Sequence, residues 1–125
     1  MVSAVYVRSL NTLTYDDGRD GEEYNLIGST EHVEARMDEI RRNGVAYLNV
    51  DVAVTGSDFQ ASASPILETA LLRVMESVTD PVSNKTLRAV WAEKGSTLQG
   101  LGAGSDYVAF QDIAGTSSLD MGFSG

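Results

Sequence analysis

The sequence predicts an α/β protein with a mainly parallel sheet flanked by helices. Three observations predict it. Helical segments, with apolar residues three and four apart, alternate with short β-prone segments. Residues 45–54 are almost continuously apolar, the pattern of a strand buried on both faces of a parallel sheet. Of the 125 residues 42% are hydrophobic, enough to form the core of one small domain.

The elements follow in order. Residues 4–15 contain Val5, Tyr6, Val7, Leu13 and Tyr15 and suit one or two strands. Residues 16–21 are polar and hold two glycines, so they read as a loop. Ser29 or Thr30 can cap a helix that runs to about residue 43. Val33, Met37 and Ile40 share one face of it, and Asn43-Gly44 ends it with a left-handed glycine. The apolar strand 45–54 comes next, interrupted by Asn49 and Asp51. Ser64-Pro65 opens a second helix with a buried stripe of Ile66, Leu67, Ala70, Leu71, Val74 and Val78, closed by Asp80-Pro81. A third helix spans residues 84–94, with Leu87, Val90 and Trp91 inward and Gly95 as its stop. Residues 100–104 form a glycine-rich loop. Ser105 or Asp106 caps a fourth helix to about residue 113, and residues 117–123 make a last strand.

The formal charge of −9 sets the chain against phosphate backbones, so nucleic acid is excluded as a partner, and anionic membranes are disfavoured. With no cysteine, thiolate metal sites, disulfides and cysteine nucleophiles are excluded. No run approaches the roughly 18 apolar residues of a membrane span, and the first ten residues lack signal-peptide character. Asn84-Lys85-Thr86 fits a glycosylation triplet, a pattern common by chance.

Two places can carry chemistry. Adjacent carboxylates such as Glu22 and Glu23 can divide work, one ligating a metal and the other taking a proton from metal-bound water. The same pair also reads as a solvated acidic loop. Asp51, inside an apolar strand, needs a partner: a hydrogen bond, an opposite charge or a metal. In an open α/β sheet the C-terminal end of a strand, where Asp51 falls, is where ligands bind.

Three runs in order carry a resemblance. They are Asp20-Gly21-Glu22-Glu23-Tyr24-Asn25-Leu26-Ile27-Gly28-Ser29-Thr30-Glu31, then Gly44-Val45-Ala46-Tyr47-Leu48-Asn49-Val50-Asp51, then Leu101-Gly102-Ala103-Gly104-Ser105-Asp106-Tyr107. Together they resemble the glutamate carboxypeptidase family of two-zinc metallopeptidases, which includes transferrin-receptor-like proteins and fungal homologues. The resemblance runs from about residue 18 to the C-terminus. It implies residues 1–125 as a single partial peptidase domain, with 1–17 as an atypical N-terminal segment and 18–125 family-like. By match, Glu22 resembles the general base, Glu23 a ligand of one zinc and Asp51 a ligand of the other. Gly104 and Ser105 resemble the loop beside the substrate cleft.

The chain departs from that pattern. The family's site uses five zinc ligands, and the resemblance supplies two of them here. No histidine precedes Glu22, and the downstream histidine is absent from the sequence. The one histidine, His32, falls on the first helix as a surface or packing residue. Arg19 stands where the family usually has Trp, and Asn25 where it usually has Gly. Asp120 and Gly122 occupy positions where members selective for acidic substrates carry arginines. The resemblance therefore implies a fragment of a zinc-dependent exopeptidase acting on peptide substrates near chain ends, inactive as an isolated chain. The alternative is a non-catalytic scaffold or interaction domain. Opened sheet edges also predict self-association.

Overall fold

The structure, a computed structural model, describes residues 4–8, 14–17 and 22–125. The strands are β1 (Ala4–Arg8), β2 (Thr14–Asp17), β3 (Gly44–Asn49), β4 (Asp58–Ala63) and β5 (Ser118–Ser124). They form one sheet in the order β2-β1-β3-β5-β4. The sheet is mixed rather than mainly parallel. Only β3 and β5 run parallel, while β1–β2, β1–β3 and β4–β5 are antiparallel.

β1 supplies two of these antiparallel pairs, and the third comes from β4, a strand the sequence does not predict. Its sequence, Asp58-Phe59-Gln60-Ala61-Ser62-Ala63, has few β-branched residues, so it carries little strand propensity. Its alternation is nevertheless that of a half-covered strand, with Phe59, Ala61 and Ala63 buried. β5 enters between β3 and β4, and Ala61 lies opposite Met121.

The helices are α1 (Ile27–Ala35), α2 (Met37–Asn43), α3 (Glu68–Ser77) and α4 (Leu87–Glu93), with a π-helical turn over Ala109–Ala114. α1 and α2 replace the single helix expected over this stretch, because the backbone breaks at Arg36 (φ −119°, ψ 20°). Neither Ser29 nor Thr30 caps α1. The chain enters through Asn25 and Leu26, both at positive φ, and the Ser29 hydroxyl donates to the Leu26 carbonyl at 3.1 Å. Gly44 is extended rather than left-handed, so α2 passes directly into β3. The expected face of Val33, Met37 and Ile40 is the inner face, with Val33 and Ile40 buried and Met37 packed against them.

α3 follows a 3-10 turn over Pro65–Leu67. Its buried stripe is Leu71 and Met75, with Leu67 and Leu72 against them; Ile66, Val74 and Val78 are exposed instead. Ile66 falls in the 3-10 turn and Val78 beyond the helix end, while within α3 the buried face runs from Leu71 to Met75, four residues on, and leaves Val74 outside it. α4 starts at Leu87, with the Thr86 hydroxyl accepting from the Ala89 N–H, and stops at Gly95 (φ +68°).

Two cores result, one on each side of the sheet. Leu119, Phe59, Ala61 and Ala63 pack against Leu71, Met75, Leu87 and Trp91 of α3 and α4. On the opposite face Tyr47 stacks on Phe110, with ring centroids 3.9 Å apart and planes 10° from parallel, among Val33, Ile40 and Tyr107. Helices thus cover both faces, as the sequence predicts.

Candidate functional site

The strand expected over residues 45–54 ends at Asn49. The chain then leaves the sheet and returns alongside the end of β5. There the Phe123 N–H donates to the Ala53 carbonyl at 2.9 Å and the Thr55 N–H to the Phe123 carbonyl at 2.7 Å. Asp51 sits on this excursion, half-buried, beyond the strand rather than within it. Val52 and Val54, apolar enough to suggest a continued strand, are exposed. Gly122 permits the close crossing, since a Cβ there would lie 2.5 Å from the Val52 carbonyl oxygen.

Asp51 and Asp120 line one pocket of about 240 Å³, together with Thr55, Gln60, Ser62 and Gly122. Asp120 is the centre of its polar contacts. Its Oδ1 accepts from Asn49 Nδ2 at 2.8 Å. Burial pushes the Asp120 carboxyl above the ordinary carboxylate range; the Asn49 hydrogen bond opposes this, and the negative charge of Asp51 adds to it. Asn49 is fully buried and also donates to Ser105 Oγ at 3.0 Å.

Glu23 lies elsewhere. It is exposed and lines a shallow pocket of about 340 Å³ with Asn25, Leu26, Ala103 and Gly104. The structure therefore brings Glu23 together with Gly104, and Asp51 together with Asp120, in pockets that share no lining residue. Ser105 is buried, with its hydroxyl accepting from Asn49. Glu22 opens the 3-10 turn Glu22–Tyr24, and its side chain lies outside the described residues, as do Arg19 and Asp20. His32 is a packing residue, its ring tilted 41° to Phe110 at 6.1 Å. Next to Ser105, Asp106 is buried with neither carboxylate oxygen hydrogen-bonded among the described residues, and it does not cap the helical turn that follows.

Among the described residues no group of three or more His, Cys, Asp or Glu side chains converges to hold a metal ion. Catalytic zinc takes three protein ligands, commonly including histidine. The paired carboxylates of Asp51 and Asp120 do not meet that requirement, so the described residues alone do not fit a catalytic zinc. Also among the described residues, no helix is long and apolar enough to cross a membrane.

Sequence reasoning singled out Asp51 but missed the hydrogen-bonded pair of Asn49 and Asp120 next to it. The available signal was the i, i+2 spacing of Asn49 and Asp51 in an apolar run, which sets two polar groups at one end of one strand.

No protein-family model matches the chain. Curated relatives do. A probable glutamate carboxypeptidase of Arthroderma benhamiae is 43% identical over 110 residues, covering 85% of this chain and 15% of the relative. The probable glutamate carboxypeptidase LAMP1 of Arabidopsis thaliana is 41% identical over 108 residues, 83% of this chain and 16% of the relative. A Schizosaccharomyces pombe protein named an inactive zinc metalloprotease is 30% identical over 104 residues, 83% of this chain and 12% of its own length. The chain thus spans less than a sixth of the length of each of these relatives. Over the stretch it shares with them, the chain belongs to the glutamate carboxypeptidase family of two-zinc metallopeptidases.

Proposed function

We propose that this chain is part of the catalytic domain of a zinc-dependent exopeptidase that hydrolyses peptide bonds near chain ends. The observation that carries the reading is the 41–43% identity to two probable glutamate carboxypeptidases. Within such a domain Glu22 acts as the general base, Glu23 and Asp51 are metal ligands, and Gly104 and Ser105 border the substrate. The shared pocket of Glu23 and Gly104 supports this arrangement, since it places a carboxylate beside the loop. With two of five ligands, the isolated chain is inactive and binds zinc weakly. No observation favours the scaffold alternative.

The test is a graft. Residues 18–125 replace the matching segment of the Arabidopsis relative, and peptide hydrolysis is measured. Activity that Glu22→Gln then removes supports the reading; an inactive graft that folds and still binds zinc counts against it. Calorimetry on the isolated chain checks the second part: tight zinc binding weakened by both Glu23→Ala and Asp51→Ala would overturn the claim of an incomplete site. Val52, Val54, Ile66, Val74 and Val82 are all exposed, and the chain self-associates at micromolar concentration. A clean monomer by sedimentation would refute that.

A further inference from the structure

One buried side chain links the separate parts of the polar face. Asn49 closes β3 and is completely buried. Its Nδ2 carries two hydrogens. One goes to Ser105 Oγ at 3.0 Å, in the loop ahead of the π-helical turn. The other goes to Asp120 Oδ1 at 2.8 Å, on β5. Asn49 and Asp120 are register partners in the parallel β3–β5 pair, so the strands themselves hold these two side chains together. Asp120 and Asp51 line one pocket just beyond this strand end. Ser105, Asn49 and Asp120 thus form a continuous hydrogen-bonded chain.

We infer that Asn49 is a positioning residue. It fixes Asp120, which lines the pocket that Asp51 shares, and through Ser105 it holds the Gly104-Ser105 loop against the same strand end. A residue that merely filled this space would be apolar, as the neighbouring Leu48 is on the opposite face. Asn49 instead leaves its Oδ1 buried without a hydrogen-bond partner, a desolvation cost that a leucine would not carry. Both donor hydrogens are used, and both reach elements distant in sequence. The functional meaning, that the groups so placed border a metal ligand and a substrate-side loop, rests on the peptidase reading. The clamp itself does not.

Amide hydrogen exchange on the purified chain tests the clamp. Asn49→Leu keeps the volume of the side chain and removes the donor; Asn49→Ala removes both. In either variant, protection of the Val108 amide, which donates to the Ser105 carbonyl at 3.1 Å, falls about 2- to 10-fold, the factor expected for losing one neutral hydrogen bond. Protection of the Val33 and Met75 amides, in the two cores, stays at the parent level. Parent-level protection of the Val108 amide in Asn49→Leu would overturn the inference, because filling the space alone would then suffice. If the variants fail to fold, the parent chain decides. Slow exchange of the Asn49 side-chain amide, with nuclear Overhauser contacts to the Ser105 β-hydrogens, is the expected result. Exchange at the rate of a free side-chain amide would overturn it. None of these readouts uses metal or substrate, so failure of the peptidase reading leaves them unchanged.

Discussion

The two faces of the sheet are built differently. The face under α3 and α4 is closed by Phe59, Ala61, Ala63, Leu71, Met75, Leu87, Trp91 and Leu119, and its burial is almost wholly apolar. The face under α1, α2 and the π-helical turn also has an apolar centre at Tyr47 and Phe110, but polar side chains surround it. Asn49 and Ser118 lie along this face, with Ser105 and Asp106 at its margin, all buried. Apolar burial is non-directional and stabilises wherever surfaces meet. A buried polar group is stable only where its partners stand, so the polar face depends on register and loop position in a way the apolar face does not.

The contrast is broken most directly by a pair of truncations. Met75→Ala, on the apolar face, is expected to cost about 2–5 kcal/mol of stability. Ser118→Ala, on the polar face, removes a 3.0 Å bond from its hydroxyl to the Thr116 carbonyl and is expected to cost about 1 kcal/mol. Urea denaturation measures both. Equal costs would mean that the two faces contribute to stability in the same way.

A smaller effect tests the excursion that carries Asp51. Gly122→Ala sets a Cβ against backbone, at the Val52 carbonyl oxygen, where no flexible side chain can yield. It is expected to cost about 1–3 kcal/mol and to shift the amide resonances of residues 51–54 more than those of α3. Shifts confined to β4 would show that the crossing is not tight.

The smallest effect lies far from the polar face, in the turn between α3 and α4. The N–H groups of Ser83 and Val82 donate to the Asp80 carboxylate at 2.8 Å each and hold its carboxyl below the ordinary value of 3.8. A depressed carboxyl contributes stability above its unfolded value and loses it as pH falls through the folded one. Asp80→Asn should therefore narrow the stability difference between neutral pH and pH 3, as thermal melts would record. An unchanged difference would assign the acid sensitivity to other groups.

Much of the architecture was legible from residue pattern. Val33, Met37 and Ile40 gave the inner face of α1 and α2, Leu87 and Trp91 that of α4, and Gly95 the end of α4. These features depend on local periodicity and on the conformational freedom of glycine, which neighbouring sequence decides. β4 was not legible, because its alanines and serine carry little β propensity and it becomes a strand by pairing with β5. The outer positions of Val52 and Val54 were not legible either. An apolar run predicts burial, but the chain had already left the sheet at Asn49.

For the candidate site the division is similar. Sequence alone determined the family motifs, the acidic balance, and Asp51 as an acid that needs a partner. Only the tertiary structure decided what stands beside it. The parallel pairing of β3 and β5 sets Asp120 beside Asn49, and Asp120 and Asp51 line one pocket. Residues 49 and 120 are far apart in the chain, and register between strands is a property of the assembled sheet, so no local pattern could have joined them.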